Sequence, residues 1–367
     1  MIGPFLILVA LAGAPAPNWA HHRGDQALTG AVSGRLALPL SPRWSVDLGG
    51  AIEASPIVVS GRVVVGTDLG KVHGLDVGTG GAVWVREVGA PIKASASLVG
   101  GVLVVGDLSG KVHGLDPTTG EVRWTYKTGD KVLGAANAVT VGDRTAAVVG
   151  SYDGGVHAVD VSSGQAVWRY TTDNYVHGGP AVSRGLVVVG GCDGVLHVVD
   201  GKGGKAAGPV TLGPQIGGGA ALLGQVAYVG HYGNRFEALD LDTGEAIWRY
   251  EDRAFPYFSS PAVSGDLVVF GGRDQRIHAV DRKTGAARWT QRTRGKVDAS
   301  PVIVDGKVVV GSEDGRLRVL RLGDGEVLWR RDLGAPIHGS ASVTGGVVIV
   351  GAGDGRLHAF GPRTPTP

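Results

Sequence analysis

Six histidines of this 367-residue chain, His73, His113, His157, His197, His278 and His358, recur at one position of a sequence repeat. Glu237 and Arg318 take that position in two further copies. Imidazoles and carboxylates could ligate a metal if they converged on one point. A separation of about 40 residues places each in a different structural unit, so they cannot be adjacent ligands. They read as polar-tipped strand residues. A second set, Asp76, Asp116, Asp160, Asp200, Asp240 and Asp281, is followed four residues later by Gly each time. A carboxylate so placed accepts backbone hydrogen bonds in an Asx-type turn, which is a structural task. Asp298, His338 and Glu53 differ, because they fall where the repeat varies. Carboxylate and imidazole together suit a metal or acid–base chemistry. Cys192 is the only cysteine, so no intrachain disulfide can form.

The elements that position these groups are set by one unit. In Leu115-Asp116-Pro117-Thr118-Thr119-Gly120-Glu121-Val122-Arg123-Trp124, Gly follows Asp by four residues and Trp follows by eight. Trp84, Trp168, Trp248 and Trp289 close the same pattern, and Trp329 closes it behind Arg321. Gly208 stands where one Trp is due. Short strands punctuated by Gly exclude helical repeats and point to a propeller. A Trp in every copy serves the copy, by filling the gap between packed sheets.

A Val-rich strand ends in Gly66, Gly106, Gly150, Gly190, Gly230, Gly271, Gly311 and Gly351, which makes eight copies. Each copy reads as four antiparallel strands, a propeller blade. The expected fold is all-β, an eight-bladed propeller. The last copy stops at Gly361-Pro362 without an outer strand, while Trp44 lies in phase ahead of the first. The strand around Trp44 is therefore expected to close the ring, since an open end would leave an unpaired sheet edge. The hairpin at Val141-Gly142-Asp143-Arg144 is longer than its counterparts. Blade five, with Gly201 to Lys205, is expected to have a loose outer strand.

Residues 1–20 resemble a secretory leader, although no Lys or Arg precedes Arg23. Residues 21–41 read as a linker, 42–361 as the propeller and 362–367 as a tail. Residues 21 to 39 and 363 to 367 are expected to be poorly ordered. Export to the periplasm or outside the cell follows, without lipid anchoring, since no Cys follows the apolar run. A formal charge of +2 with scattered basic residues gives no nucleic-acid stripe. The apolar start is too short for a membrane span. The mature chain is expected to be a monomer.

The pattern Val-Gly-x-x-x-Gly-x-Val-His-x-Leu-Asp-x-x-Thr-Gly-x-x-x-Trp resembles the PQQ-type (quinoprotein) propeller repeat over residues 44 to 360. The resemblance implies one of two branches. One comprises PQQ-dependent dehydrogenases, which stack the quinone on a Trp floor, cap it with adjacent cysteines and hold Ca²⁺ with acidic and amide groups. The other comprises non-catalytic propellers such as BamB of the outer-membrane assembly machinery. Here Trp44, Trp84, Trp124, Trp168, Trp248, Trp289 and Trp329 are all assigned to outer strands, and Cys192 has no neighbouring Cys. No catalytic, cofactor or metal residue is therefore expected, and the chain reads as a scaffold that binds a protein partner. A PQQ dehydrogenase, or a small-ligand or metal-binding propeller, is the alternative.

Function is expected where the repeat varies. One such position reads Glu53, Lys93, Leu133, His177, Gly217, Phe258, Asp298 and His338 around the ring. A second, two residues past each Val-strand glycine, supplies Tyr152, Cys192, Tyr232 and Arg273 among others. Both should lie on one face, with Tyr175, Phe255 and Tyr257 adding aromatic surface. The partner is expected on Tyr152, Tyr232, Arg273, Tyr257 and Phe258, with Glu53, Asp298 and His338 across the channel.

Overall fold

The computed structural model describes residues 19–362. Residues 1–18 of the range read as a leader and residues 363–367 of the range read as a tail lie outside the described residues. Eight antiparallel sheets follow one another along the chain. The first blade is Ile57–Val59, Arg62–Gly66, Lys71–Asp76 and Ala82–Glu87. Its middle strands are buried and its outer strand alternates, as expected for sheets stacked face to face around an axis. The other blades repeat that order, and the described residues contain no helix.

The ring closes as the phase of Trp44 requires. Leu40–Asp47 pairs antiparallel with Arg356–Pro362, from Leu40 opposite Pro362 to Asp47 opposite Arg356. Except at the fourth blade, a Trp layer joins each blade to the next. Trp124 Nε1 donates to Val161 O at 2.8 Å, Trp168 to Gly201 O at 3.0 Å and Trp44 to Val77 O at 3.0 Å. The turn glycine of the following blade lies under the indole. Gly120 has φ +70°, and a Cβ there would come within 2.4 Å of Trp84. The loose outer strand belongs to the fourth blade, not the fifth, and shrinks to Val210–Thr211, where Gly208 replaces Trp. Gly244 of the next blade consequently meets only Val210, at 3.8 Å.

A second seam lies nearer the axis. A Cβ on Gly66 would come within 2.3 Å of Ile92, and one on Gly190 within 2.3 Å of Ile216. The Val-strand glycine is thus the slot that admits an aliphatic residue from the adjoining blade. The long hairpin of the third blade pairs Asn137–Val141 with Arg144–Ser151.

Residues 21 to 39 are not the poorly ordered linker expected above. They cross the ring and bond to it through their backbone. Carbonyls of Trp19, Ala20, Gln26, Ala27, Thr29 and Gly30 accept N–H bonds from Val58, Leu98, Val182, Leu222, Val263 and Ile303, all at 2.7–3.1 Å. Those six amides sit at the same position of six inner strands. Asn137 Nδ2 reaches Gln26 O at 2.7 Å for the third blade. Ala31–Val32 then adds a parallel fifth strand to the seventh blade. Arg23, 1 % exposed, donates to Pro301 O and Pro261 O at 2.7 Å each. Burial lowers its pKa to about 9. Trp19 is buried and pairs with Val58. Trp19 and Ala20 fall inside the range read as leader, so cleavage after Ala20 would remove this contact.

Candidate functional site

The inner strands enter the ring at the variable position and run toward the crossing segment five residues further on. The two ends of the channel therefore differ: one is crossed by backbone, the other is open. Glu53, Lys93, Leu133, His177, Gly217, Phe258, Asp298 and His338 all line a cavity of about 380 Å³ at the open end, with His22 of the crossing segment among its walls. Burial first, and Arg23 second, lower the His22 pKa to about 3, and its Nδ1 has no hydrogen-bond partner. Around the wall, Ser260 N–H donates to Ser300 Oγ at 3.0 Å and Ser340 N–H to Ser55 Oγ at 2.9 Å. These serines are used to join blades.

The mouth divides into two halves. On one side Glu53 pairs with Lys93 at 2.9 Å, and His338 is exposed. On the other, aromatic rings form a continuous strip beside a second cavity of about 500 Å³. Tyr175 stacks on Tyr152 with centroids 4.8 Å apart. The Tyr152 hydroxyl hydrogen-bonds His177 Nδ1 at 2.5 Å, and His177 meets Phe258 edge-on at 5.4 Å. The Arg273 guanidinium lies over Phe258 at 4.4 Å and near Tyr232 at 5.7 Å. Asp298 holds Arg273 through both oxygens, at 3.1 and 2.9 Å. These hydrogen bonds raise the Arg273 pKa. Burial, and then Arg273, lower that of His177. Burial also raises the Cys192 thiol beside the strip.

Tyr257 does not belong to this face. It is 1 % exposed and packs among Phe236, Tyr250, Phe270 and His278. Its Cβ lies against Gly230, in the slot that Ile92 and Ile216 occupy elsewhere. The loop from Trp248 to Phe258 is one residue longer than its counterparts, and Phe258 alone of the pair turns to the channel. Phe255 is exposed but makes no ring contact with the strip.

Asp298 and Glu53 are each neutralised by a cation and do not face His338 as a ligand set. The repeated histidines sit apart, as their spacing requires, and three of them, His157, His197 and His278, accept a hydrogen bond from a Tyr of the preceding blade. His157 Nε2 donates to Asp153 at 3.1 Å while Tyr126 of the preceding blade donates to Nδ1 at 3.0 Å. His197 uses Asp193 and Tyr170 in the same way. Arg318 pairs with Asp314, and Glu237 with His231 and Arg249. The sequence reading missed these Asp partners. The Asp-x-x-x-His spacing in Asp153 to His157, Asp193 to His197 and Asp274 to His278 was the available signal.

The cavity does not fit a quinone as the dehydrogenases hold it. Its lining contains no Trp and no Cys. The indoles of Trp44, Trp124, Trp168, Trp248, Trp289 and Trp329 are each engaged with a carbonyl of the adjoining blade.

No curated protein matches this sequence. Among solved structures, BamB from Moraxella catarrhalis is 22 % identical with a TM-score of 0.74, covering 88 % of this chain and 100 % of that one. Quinohemoprotein alcohol dehydrogenase from Comamonas testosteroni is 16 % identical with a TM-score of 0.80, covering 96 % and 82 %. A europium-containing methanol dehydrogenase is 14 % identical with a TM-score of 0.78, covering 95 % and 98 %. At such identities the likeness is one of fold. The sequence itself matches one family over residues 41–153, 131–251, 192–335 and 238–365. The chain thus belongs to the family described as outer membrane protein assembly factor BamB, a branch of the PQQ-like propellers.

Proposed function

We propose that this chain is a non-catalytic, exported propeller that binds another protein of the cell envelope through the aromatic half of its open face. The observation that carries this reading is the strip Tyr175, Tyr152, His177, Phe258, Tyr232 and Arg273. Tyr175 is 49 % and Tyr232 39 % exposed, although both are large rings held in place by neighbours. Preorganised aromatic and Arg side chains supply most of the energy at protein interfaces. Membership of a family described by outer-membrane protein assembly supports the partner class and an envelope location. The mismatch between the cavity and a stacked quinone supports the absence of catalysis.

The test is affinity purification of tagged chain from its native envelope fraction, followed by binding measurements with the partner recovered. Tyr232→Ala and Arg273→Ala should each weaken binding by about 1–3 kcal/mol with the fold intact. His113→Gln, within the second blade, should leave affinity unchanged. Normal binding by both face variants, together with loss of binding in a variant near Arg144, would place the interface on the opposite face. A quinoprotein dehydrogenase or small-ligand binder is the second reading, favoured by the fold of two neighbours and by the 380 Å³ cavity. With added PQQ and Ca²⁺, dye-linked alcohol or sugar oxidation above the cofactor-only control would establish it.

A further inference from the structure

Blades three, four and seven treat one carboxylate alike. Asp153, Asp193 and Asp314 each accept a backbone N–H from the preceding blade, from Gly129 at 2.7 Å, Asp173 at 3.2 Å and Arg294 at 3.0 Å. The residue before each of those amides is Thr128, Thr172 or Thr293, whose hydroxyl donates to a main-chain carbonyl. The sixth blade departs from this scheme. Its carboxylate is Asp274, and the residue at the Thr position of the preceding blade is Asp252. The Asp274 side chain is 1 % exposed. Its Oδ1 accepts from His278 Nε2 at 3.2 Å, but Oδ2 has no hydrogen-bond partner. Arg276 Nε stands off at 3.9 Å. A buried carboxylate oxygen left without donors is costly unless something positive meets it.

Asp252, Asp274 and His278 each offer a ligand atom, and these atoms lie within 4.8 Å of one another. Among the described residues this is the only group of three that does so. His278 has no nitrogen to spare. Nε2 is on Asp274, and Nδ1 accepts from the Tyr250 hydroxyl at 3.1 Å. The remaining donors are oxygens on two carboxylates, each with only a loose arginine partner at 3.9 Å (Arg253 for Asp252, Arg276 for Asp274), and carboxylate oxygens suit a hard cation with a flexible shell.

We propose that Asp252 and Asp274 bind a single Ca²⁺ ion at the seam between blades five and six. Asp252 is exposed, which gives the ion an entry path, and the orphaned Asp274 oxygen is the inner anchor. His278 holds Asp274 in place without ligating the ion. The site is separate from the channel cavity, whose lining includes neither carboxylate. The ion would neutralise a carboxylate pair that no other blade has at this seam.

The full chain, stripped with EDTA and exchanged into chelator-free buffer, is titrated with CaCl₂ by calorimetry, with Tm measured in parallel. One saturable site and a Tm raised by a few degrees are expected, since a ligand that binds only the folded chain stabilises it. Asp252→Thr installs the residue that blades two, three and six use, Thr128, Thr172 and Thr293. It should fold, and bind Ca²⁺ at least about tenfold more weakly with no Tm rise. Asp274→Asn, read by the same titration, should also lose the site. Absence of saturable Ca²⁺ binding to the wild-type chain overturns the proposal, as does an Asp252→Thr chain that binds like wild type.

Discussion

The wall of this ring and its mouth obey opposite rules. In the wall, the indoles of Trp44, Trp124, Trp168, Trp248 and Trp289 each meet a glycine and a carbonyl of the next blade, so one contact recurs around most of the circumference. At the mouth, consecutive blades present Phe258, Asp298, His338, Glu53 and Lys93, with no two alike. A wall residue is constrained by two blades at once. A mouth residue touches the neighbours it happens to have, which leaves its identity free for recognition. Changes to the wall should therefore cost stability and spare binding, and changes to the mouth should do the reverse.

The largest effect should come from the N-terminus, where wall and crossing segment are one stretch of chain. Removing residues through Val46 takes away the outer strand of blade eight, Trp44, and the bonds to seven blades. The expected outcome is loss of the cooperative folding transition. Removing residues only through Gly30 leaves the Trp44 strand and should give a folded ring of lowered Tm. Equal melting temperatures for both truncations and the wild type, by calorimetry, would break the assignment of closure to this segment.

Next in size is the Trp layer. Trp124→Ala should cost about 3–5 kcal/mol in denaturant unfolding. Its effect separates into parts at the turn glycines. Gly120→Ala meets both a positive φ and the Trp84 indole, whereas Gly244→Ala meets the positive φ with no indole above it. Gly120→Ala should therefore be the more destabilising of the two. The mouth variant Tyr232→Ala should change stability less than either, because its ring is partly exposed and edges only Phe258 and Arg273.

Fold and site were legible in the sequence to different depths, for physical reasons. Blade count, closure and the Trp seam could be read because each depends on side-chain identity at fixed spacing. The crossing segment could not, because it holds the ring through backbone carbonyls, which any residue supplies. The ring of mouth positions was legible from the phase of the repeat. Tyr257 was misplaced because one inserted residue slips the phase between Trp248 and Phe258, and a Tyr entered a slot that elsewhere takes Ile or Val. His22 could not be found, since nothing local marks a residue whose position depends on a chain crossing the axis.

The smallest effect is a proton at the wall. His73 occupies the repeated position, yet its Nε2 has no hydrogen-bond partner, because Leu69 stands where Asp153 and Asp193 stand in other blades. Burial first, and Lys71 second, lower its pKa to about 4. The unfolded chain then binds more protons than the folded chain between about pH 6.5 and that value. Stability from this group is present above pH 6.5 and is lost as pH falls toward 4. His157 is lowered too, again chiefly by burial, but Asp153 opposes the shift. His73→Gln should therefore flatten the fall in Tm between pH 6.5 and 4 more than His157→Gln does. At the mouth, burial holds the His177 pKa below the ordinary imidazole range, and its ring carries the Tyr152 hydroxyl, so protonation there as pH falls should weaken partner binding as well as lower Tm. Parallel pH series of Tm and affinity check both halves. An affinity that falls with His73 titration and ignores His177→Gln would mean that wall and mouth are not independent.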